Sequence, residues 1–235
     1  VKKIRLRSDF DVDLVQWAGD DEFICKAARV STLGAASIDS KESEGLLMFL
    51  MRNRHGSPFE HGLMTFRITG PIFMWREFMR HRIGFSYNEE SGRYKILDGV
   101  FYLPSARRKL IQVGKAGEYE FREGSAEQYD IMRENKIKSY KRAWKSYNIQ
   151  LEAGIAKEVA RMELPVATYS TAYVTCNPRS LMSFLGLRTY GNYSNLFKST
   201  PQWEISNVAD QMETHFAKLY PITQAIFDNN GRVAP

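Results

Sequence analysis

Only two cysteines, Cys25 and Cys176, occur in the 235 residues. Neither stands in Cys-x-x-Cys or Cys/His spacing, and each has apolar neighbours, which points to reduced, packed thiols of a cytosolic protein rather than a redox or metal site. No stretch approaches the ~20 uninterrupted apolar residues of a membrane span. Val1 to Arg7 has no signal-peptide apolar region and reads as a strand. Internal repeats, low-complexity tracts and Pro/Gly/Ser linkers are also lacking. Residues 1–235 therefore read as one domain, with cytoplasmic location and no metal.

What is present is ordinary globular composition, 43% hydrophobic and 26% charged, with a net charge of +6. That charge suggests an anionic partner, either nucleic acid or a phosphorylated small molecule, and is silent about fold. Periodicity suggests an α/β chain. Helices are expected at Asp21–Ser31, with Phe23, Ala27, Ala28 and Val30 inward, and at Ser43–Asn53, with Leu46, Leu47, Phe49 and Leu50 inward. Leu63–Thr69 alternates as a strand does, and Pro71 opens a helix from Ile72 to Arg82. A long helix runs from an N-cap at Ser125 to Gly154, with a stripe of Tyr129, Met132, Tyr140, Trp144, Tyr147 and Leu151 best explained by packing or subunit contact. A shorter helix ends near Leu164-Pro165. Thr168–Thr175 is β-rich, Pro178 starts another helix, and Gln202–Leu219 is the last.

The chemistry gathers between Arg80 and Tyr94. In the expected helix Arg76 and Arg80 share a face, as do Glu77 and His81. The same helix carries Ile72, Phe73, Trp75 and Phe78, so its cations need partners. The polar run that follows, with Gly92 and Arg93, has the composition of an ordered binding loop. An ion-pair network or a basic patch would account for any single arginine here. The cluster with its polar loop points to an anion site, because guanidinium forks grip phosphate through paired hydrogen bonds.

Arg80-His81-Arg82, a spacer, and Ser86-Tyr87-Asn88-Glu89-Glu90-Ser91-Gly92-Arg93-Tyr94 resemble the signature of the flavin-dependent thymidylate synthases. The spacer from Ile83 to Glu90 holds eight residues where the family has seven, and the surplus among Ile83, Gly84 and Phe85 is expected to bulge the turn after the helix. Further resemblance lies in Ala27–Ser31, His55–His61, Pro71–Phe73, Glu158–Arg161 with Leu164-Pro165, Asn177–Arg188 and Gln202–Glu204, so it spans nearly the whole chain.

The resemblance implies an α/β fold, a single compact domain with a central, mostly antiparallel sheet flanked by helices. It also implies a homotetramer with shared active sites. The implied reaction is reductive methylation of dUMP to dTMP, with methylenetetrahydrofolate as carbon donor and NADPH as reductant through FAD. By position, the implied FAD contacts are His55, Ser57, Arg80, His81, Arg82, Glu89, Asn177, Arg179 and Ser183. The implied dUMP contacts are Glu77, Phe78, Met79, Arg80, Glu89, Glu90, Ser91, Gly92, Arg93, Arg161 and Arg188. Arg188 is the implied catalytic group, its guanidinium meeting negative charge on the uracil ring; a cation favoured by a helix C-terminus is the plainer alternative. Neither cysteine lies in a nucleophile motif. Ser183 stands where the family often has asparagine. The segment 189–201 is longer than usual, which fits a lid, an altered adenine contact or simple loop variation. Neither nucleic acid nor membrane is an expected partner. A basic nucleic-acid-binding protein and an inactive flavoprotein relative are the competing readings.

Overall fold

The computed structural model describes residues 3–115, 118–190 and 195–235. Val1 and Lys2 of the expected first strand, and 191–194 of the segment 189–201, lie outside the described residues. Four strands, β2 (Asp11–Ala18), β3 (Leu63–Pro71), β4 (Phe85–Glu89) and β8 (Tyr169–Cys176), form an antiparallel sheet in the order β2–β3–β8–β4. The chain divides into two compact units.

Unit 1 comprises residues 1–10, 69–77 and 89–172. Its strands β1 (Arg5–Arg7) and β5 (Val100–Tyr102) pair in parallel, Leu6 opposite Phe101. The strands β6 (Ile111–Lys115) and β7 (Glu118–Arg122) form an antiparallel pair. Helix α4 (Ala126–Glu152) begins at a reciprocal capping box of Ser125 and Gln128, which satisfies two orphan backbone donors. Of the predicted stripe, Tyr140, Trp144 and Tyr147 are buried, while Tyr129, Met132 and Leu151 are only half-buried. Phe101 stacks on Tyr140 at 5.0 Å, and the Tyr140 hydroxyl donates to the Tyr102 carbonyl at 2.8 Å. Gly99 is required beneath Trp144, since a Cβ there would lie 2.8 Å from the indole. The short helix α5 (Lys157–Ala160) and a 3-10 turn at Arg161–Glu163 lead to β8.

Unit 2 comprises residues 11–68, 78–88 and 173–235. It holds α1 (Asp21–Leu33), α2 (Glu44–Arg52), α6 (Pro178–Arg188), α7 (Trp203–Leu219) and α8 (Pro221–Asn229). Asp20 caps α1 through the Phe23 N–H, and Ser43 caps α2 through that of Leu46. The inward face of α1 differs from expectation: Ile24 and Cys25 are buried, whereas Phe23 and Val30 are exposed. The cause is Asp21, a buried carboxylate on the inner face. It accepts from the N–H groups of Ile222 and Thr223 and from the Thr223 hydroxyl, thereby capping α8, a helix the sequence pattern did not reveal. In α2 the core residues are Leu47, Leu50 and Met51, while Phe49 faces outward.

Candidate functional site

Pro71 is followed by α3 (Ile72–Phe78), which is shorter than expected. The helix stops because Phe78 is pulled into an aromatic cluster, 4.6 Å from Phe184 and edge-on to Phe85 and Tyr87. The Tyr87 hydroxyl then donates to the carbonyls of Phe78 and His81, and the His81 N–H to the Phe78 carbonyl, closing a turn. Arg80, His81 and Arg82 therefore leave the helix, and the expected shared faces of Arg76 with Arg80 and of Glu77 with His81 do not form. Phe78, an implied dUMP contact, is fully buried, its side chain part of the core. The expected loop after the helix is mostly strand β4, in which Phe85, Tyr87 and Glu89 are half-buried while Ser86 and Asn88 face outward.

Of Ile83, Gly84 and Phe85, where the surplus residue is expected, Phe85 opens β4, while Ile83 and Gly84 form an exposed turn with Gly84 at φ +67°. Only glycine fits there, because a Cβ would lie 2.0 Å from the Ser180 hydroxyl on α6. Asn177 caps α6 through the Ser180 N–H at 2.8 Å. From this anchored helix, Arg179 and Ser183 reach a cavity of about 670 Å³ in unit 2 that is also lined by Arg54, Arg80, His81 and Arg82. Counting side chains alone, four arginines and one acid, Glu60, give the lining a formal charge of +3. Glu60 is engaged by Arg179 at 2.5 Å, and Arg80 and Arg82 have no carboxylate partner among the described residues. Such a donor set suits a polyanion such as a diphosphate. Arg54 keeps a left-handed backbone (φ 58°) directly after α2, a conformation unusual for a non-glycine residue.

At the end of α6, Arg188 donates through Nε to His81 Nε2 at 3.0 Å. His81 lies edge-on to Phe184 at 4.9 Å. Burial, and secondarily the Arg188 charge, lower its pKa to about 4, so it is neutral near pH 7 and able to accept that bond.

A second cavity, of about 370 Å³, lies within unit 1 and is lined by Glu89, Glu90, Gly92, Arg161, Leu97 and Tyr169 among others. The Ser170 hydroxyl donates to Glu89 at 2.5 Å. Glu90 accepts from the Thr171 N–H at 3.0 Å and pairs with Lys95 at 2.8 Å. A Cβ on Gly92 would lie 2.9 Å from Leu97 and 3.1 Å from Arg161, so glycine lets the arginine pass close to the turn. Ser91 accepts from the Arg93 N–H, and the Arg93 guanidinium pairs with Glu158 at 3.2 Å.

The cavity of unit 2 thus collects five sequence-predicted residues: Arg80, His81, Arg82, Arg179 and Ser183. His55, Ser57 and Asn177 are not in its lining; His55 is exposed beside Phe49, Ser57 opens a 3-10 turn, and Asn177 is spent on the cap. Glu89, expected against both ligands, lines the cavity of unit 1, where Glu90, Gly92 and Arg161 also stand. Glu77, Met79, Ser91, Arg93 and Arg188 are not in either lining. Arg54, Glu60, Ala234 and Pro235 escaped the sequence reading, as did Leu97, Tyr169 and Ser170. Only the unusual backbone of Arg54 marks it out, and that is invisible in sequence. Both cysteines are buried and free, their thiol pKa values raised by burial, which leaves no activated nucleophile among them. Among the described residues there is no cluster suited to a metal, and no helix is long and apolar enough to cross a membrane.

Residues 13–222 match the family profile described as "Thymidylate synthase complementing protein". The flavin-dependent thymidylate synthase of Streptomyces coelicolor is 52% identical over 99% of this chain and 96% of its own length. That of Tropheryma whipplei is 53% identical over 97% of this chain and 96% of its own. A crystal structure of the UMP/dUMP methylase PolB from Streptomyces cacaoi bound with 5-Br dUMP superposes with a TM-score of 0.93 at 47% identity, covering 99% of this chain and all of that one. A second PolB structure, bound with 5-Br UMP, gives 0.92 at 46% identity over the full length of both chains.

Proposed function

Given that this chain belongs to the flavin-dependent thymidylate synthase family and is an enzyme of that activity in dTMP biosynthesis, we propose that its cationic cavity holds FAD and its smaller, mixed cavity holds dUMP. The observation that carries the FAD assignment is the +3 lining in unit 2. Arg80, Arg82 and Arg179 would take the diphosphate, with Ser183 offering a hydroxyl. FAD, when bound, supplies the reducing equivalents that come from NADPH, while methylenetetrahydrofolate supplies the carbon.

The dUMP assignment rests on a cavity whose carboxylates are already held by protein donors. Glu89 and Glu90 are fixed acceptors, suited to N–H and hydroxyl groups of base and sugar rather than to phosphate. Arg161 and the Gly92 amide are the anion-binding complement in the lining, and we assign Arg93, outside it and paired with Glu158, to the same anion because the sequence resemblance implies it. Arg188 we assign to the negative charge developing on the uracil ring, with neutral His81 holding its Nε so that the guanidinium keeps one direction. We read residues 1–235 as one catalytic domain, since the family match runs through both units. The homotetramer implied by the sequence resemblance is the assembly in which we expect flavin and nucleotide to react.

Tritium release from dUMP labelled at C5 tests the reading. Release should require FAD, methylenetetrahydrofolate and NADPH together. Protein that binds FAD and dUMP yet releases no tritium would be an inactive relative, and the mechanism would fail. Because PolB is described as a UMP/dUMP methylase, labelled UMP belongs in the same assay; release from UMP would widen the substrate class to both uridine nucleotides.

A further inference from the structure

The family match ends at residue 222, yet the chain beyond it is locked into unit 2 by a buried cation. Gly231 and Arg232 both have positive φ (66° and 57°), so the backbone reverses off the end of α8, and the Arg232 N–H donates to the Phe227 carbonyl at 2.9 Å. The Arg232 side chain has no exposure to solvent. Its Nη1 meets Glu213 of α7 at 2.7 Å and also Asp228 of α8. Its Nη2 meets Glu213 at 2.9 Å and the Thr189 hydroxyl at 3.0 Å. Thr189 follows Arg188 and donates to the Leu185 carbonyl of α6 at 2.7 Å. One guanidinium therefore ties three helices together. Backbone contact is equally close, since a Cβ on Gly186 would lie 2.5 Å from the Arg232 carbonyl.

A buried ion pair largely offsets its own desolvation and is a weak source of stability. What a guanidinium with these partners fixes is direction, and direction matters here because Ala234 and Pro235 line the arginine-rich cavity. The Pro235 carbonyl accepts from Arg179 Nε at 2.7 Å, while Nη1 of the same side chain holds Glu60. Arg179 is thus held from two sides.

We propose that residues 232–235 are a working part of the flavin site: Arg232 is a positioning residue, Ala234 and Pro235 form a wall, and the Pro235 carbonyl aims Arg179. The proposal rests on the FAD reading of this cavity. Two variants of the full chain, one lacking residues 233–235 and one carrying Arg232→Met, test it by FAD titration and by the thermal midpoint without FAD. Loss of the wall and of one charge-assisted hydrogen bond should raise the Kd for FAD about tenfold in the shortened protein. Its thermal midpoint should stay within about 2 °C of the parent, because the buried pair is intact. Arg232→Met should weaken FAD at least as much; if it does not fold, the shortened protein decides alone. FAD affinity within twofold of the parent in the shortened protein, or a loss accompanied by a large fall in its midpoint, overturns the proposal. A parent chain that binds no FAD would instead overturn the FAD reading itself.

Discussion

The two cavities settle their charges in opposite ways. In unit 2 arginines outnumber acids, and Arg80 and Arg82 have no carboxylate partner among the described residues. In unit 1 each lining carboxylate is already held, Glu89 by Ser170 and Glu90 by Thr171 and Lys95. Uncompensated like charges repel one another and are expensive to cover, which is the ground on which we assign the first cavity to an anion. In the second the carboxylates are already held by protein donors, which suits selection by hydrogen-bond pattern. A strongly charged cofactor and a discriminated substrate call for these two solutions respectively.

The sharpest test of this contrast is Arg188→Ala, for which we expect turnover to fall about 100-fold or more, as for loss of a group stabilising transition-state charge. FAD affinity should stay near that of the parent; unchanged turnover would refute the role given to Arg188. Arg161→Ala comes next. Its dUMP Kd should rise about 10- to 100-fold, the range of a lost charge-assisted hydrogen bond, with FAD affinity preserved. Arg179→Ala should do the reverse, weakening FAD about tenfold and leaving dUMP within twofold. Calorimetric titration of each variant with both ligands would collapse the distinction if the two affinities fell together.

A smaller effect concerns pH. His81 in the folded chain has a pKa lowered to about 4 against an ordinary 6.5. Between those values the unfolded chain binds more protons, so the stabilising contribution of neutral His81 is full above pH 6.5 and is lost as pH falls towards 4. Thermal midpoints over that window should decline less in His81→Asn than in the parent; parallel declines would contradict the buried, neutral imidazole. The least consequence is expected for Cys25→Ala, with turnover retained and stability lower by about 1 kcal/mol.

Much of the frame was legible because it depends on local rules. The capping box at Ser125, the Tyr140–Trp144–Tyr147 stripe and the alternation of β3 each declare themselves within a few residues. Features set by distant partners were not. Nothing near Asp21 shows that its carboxylate caps a helix some 200 residues later, and that hidden task turned the predicted face of α1 outward. The end of α3 was missed for the same reason, since Phe184 and Tyr87 draw Phe78 out of the helical course. In the site, the residue types around Arg80 pointed to an anion and the resemblance to FAD and dUMP, and five of the residues so marked line one cavity. The cavity walls at Ala234 and Pro235 left no trace because small apolar residues carry no chemical signature.

The cap that Asp21 provides for Thr223 also sets a schedule for synthesis. A ribosome delivers the chain from its N-terminus, and α1 emerges with a carboxylate whose partners are about 200 residues from being made. Unit 1 has its largest piece, 89–172, in one uninterrupted run and can close around α4 while translation continues. Unit 2 needs its final segment, 173–235, before the Asp21 carboxylate finds its N–H groups and α6 has a wall to lie against. Until then a nascent chain presents the apolar inner faces of α1 and α2 uncovered. For this protein, the interval between the synthesis of α1 and that of α8 is a period of exposure to chaperones and to misassembly.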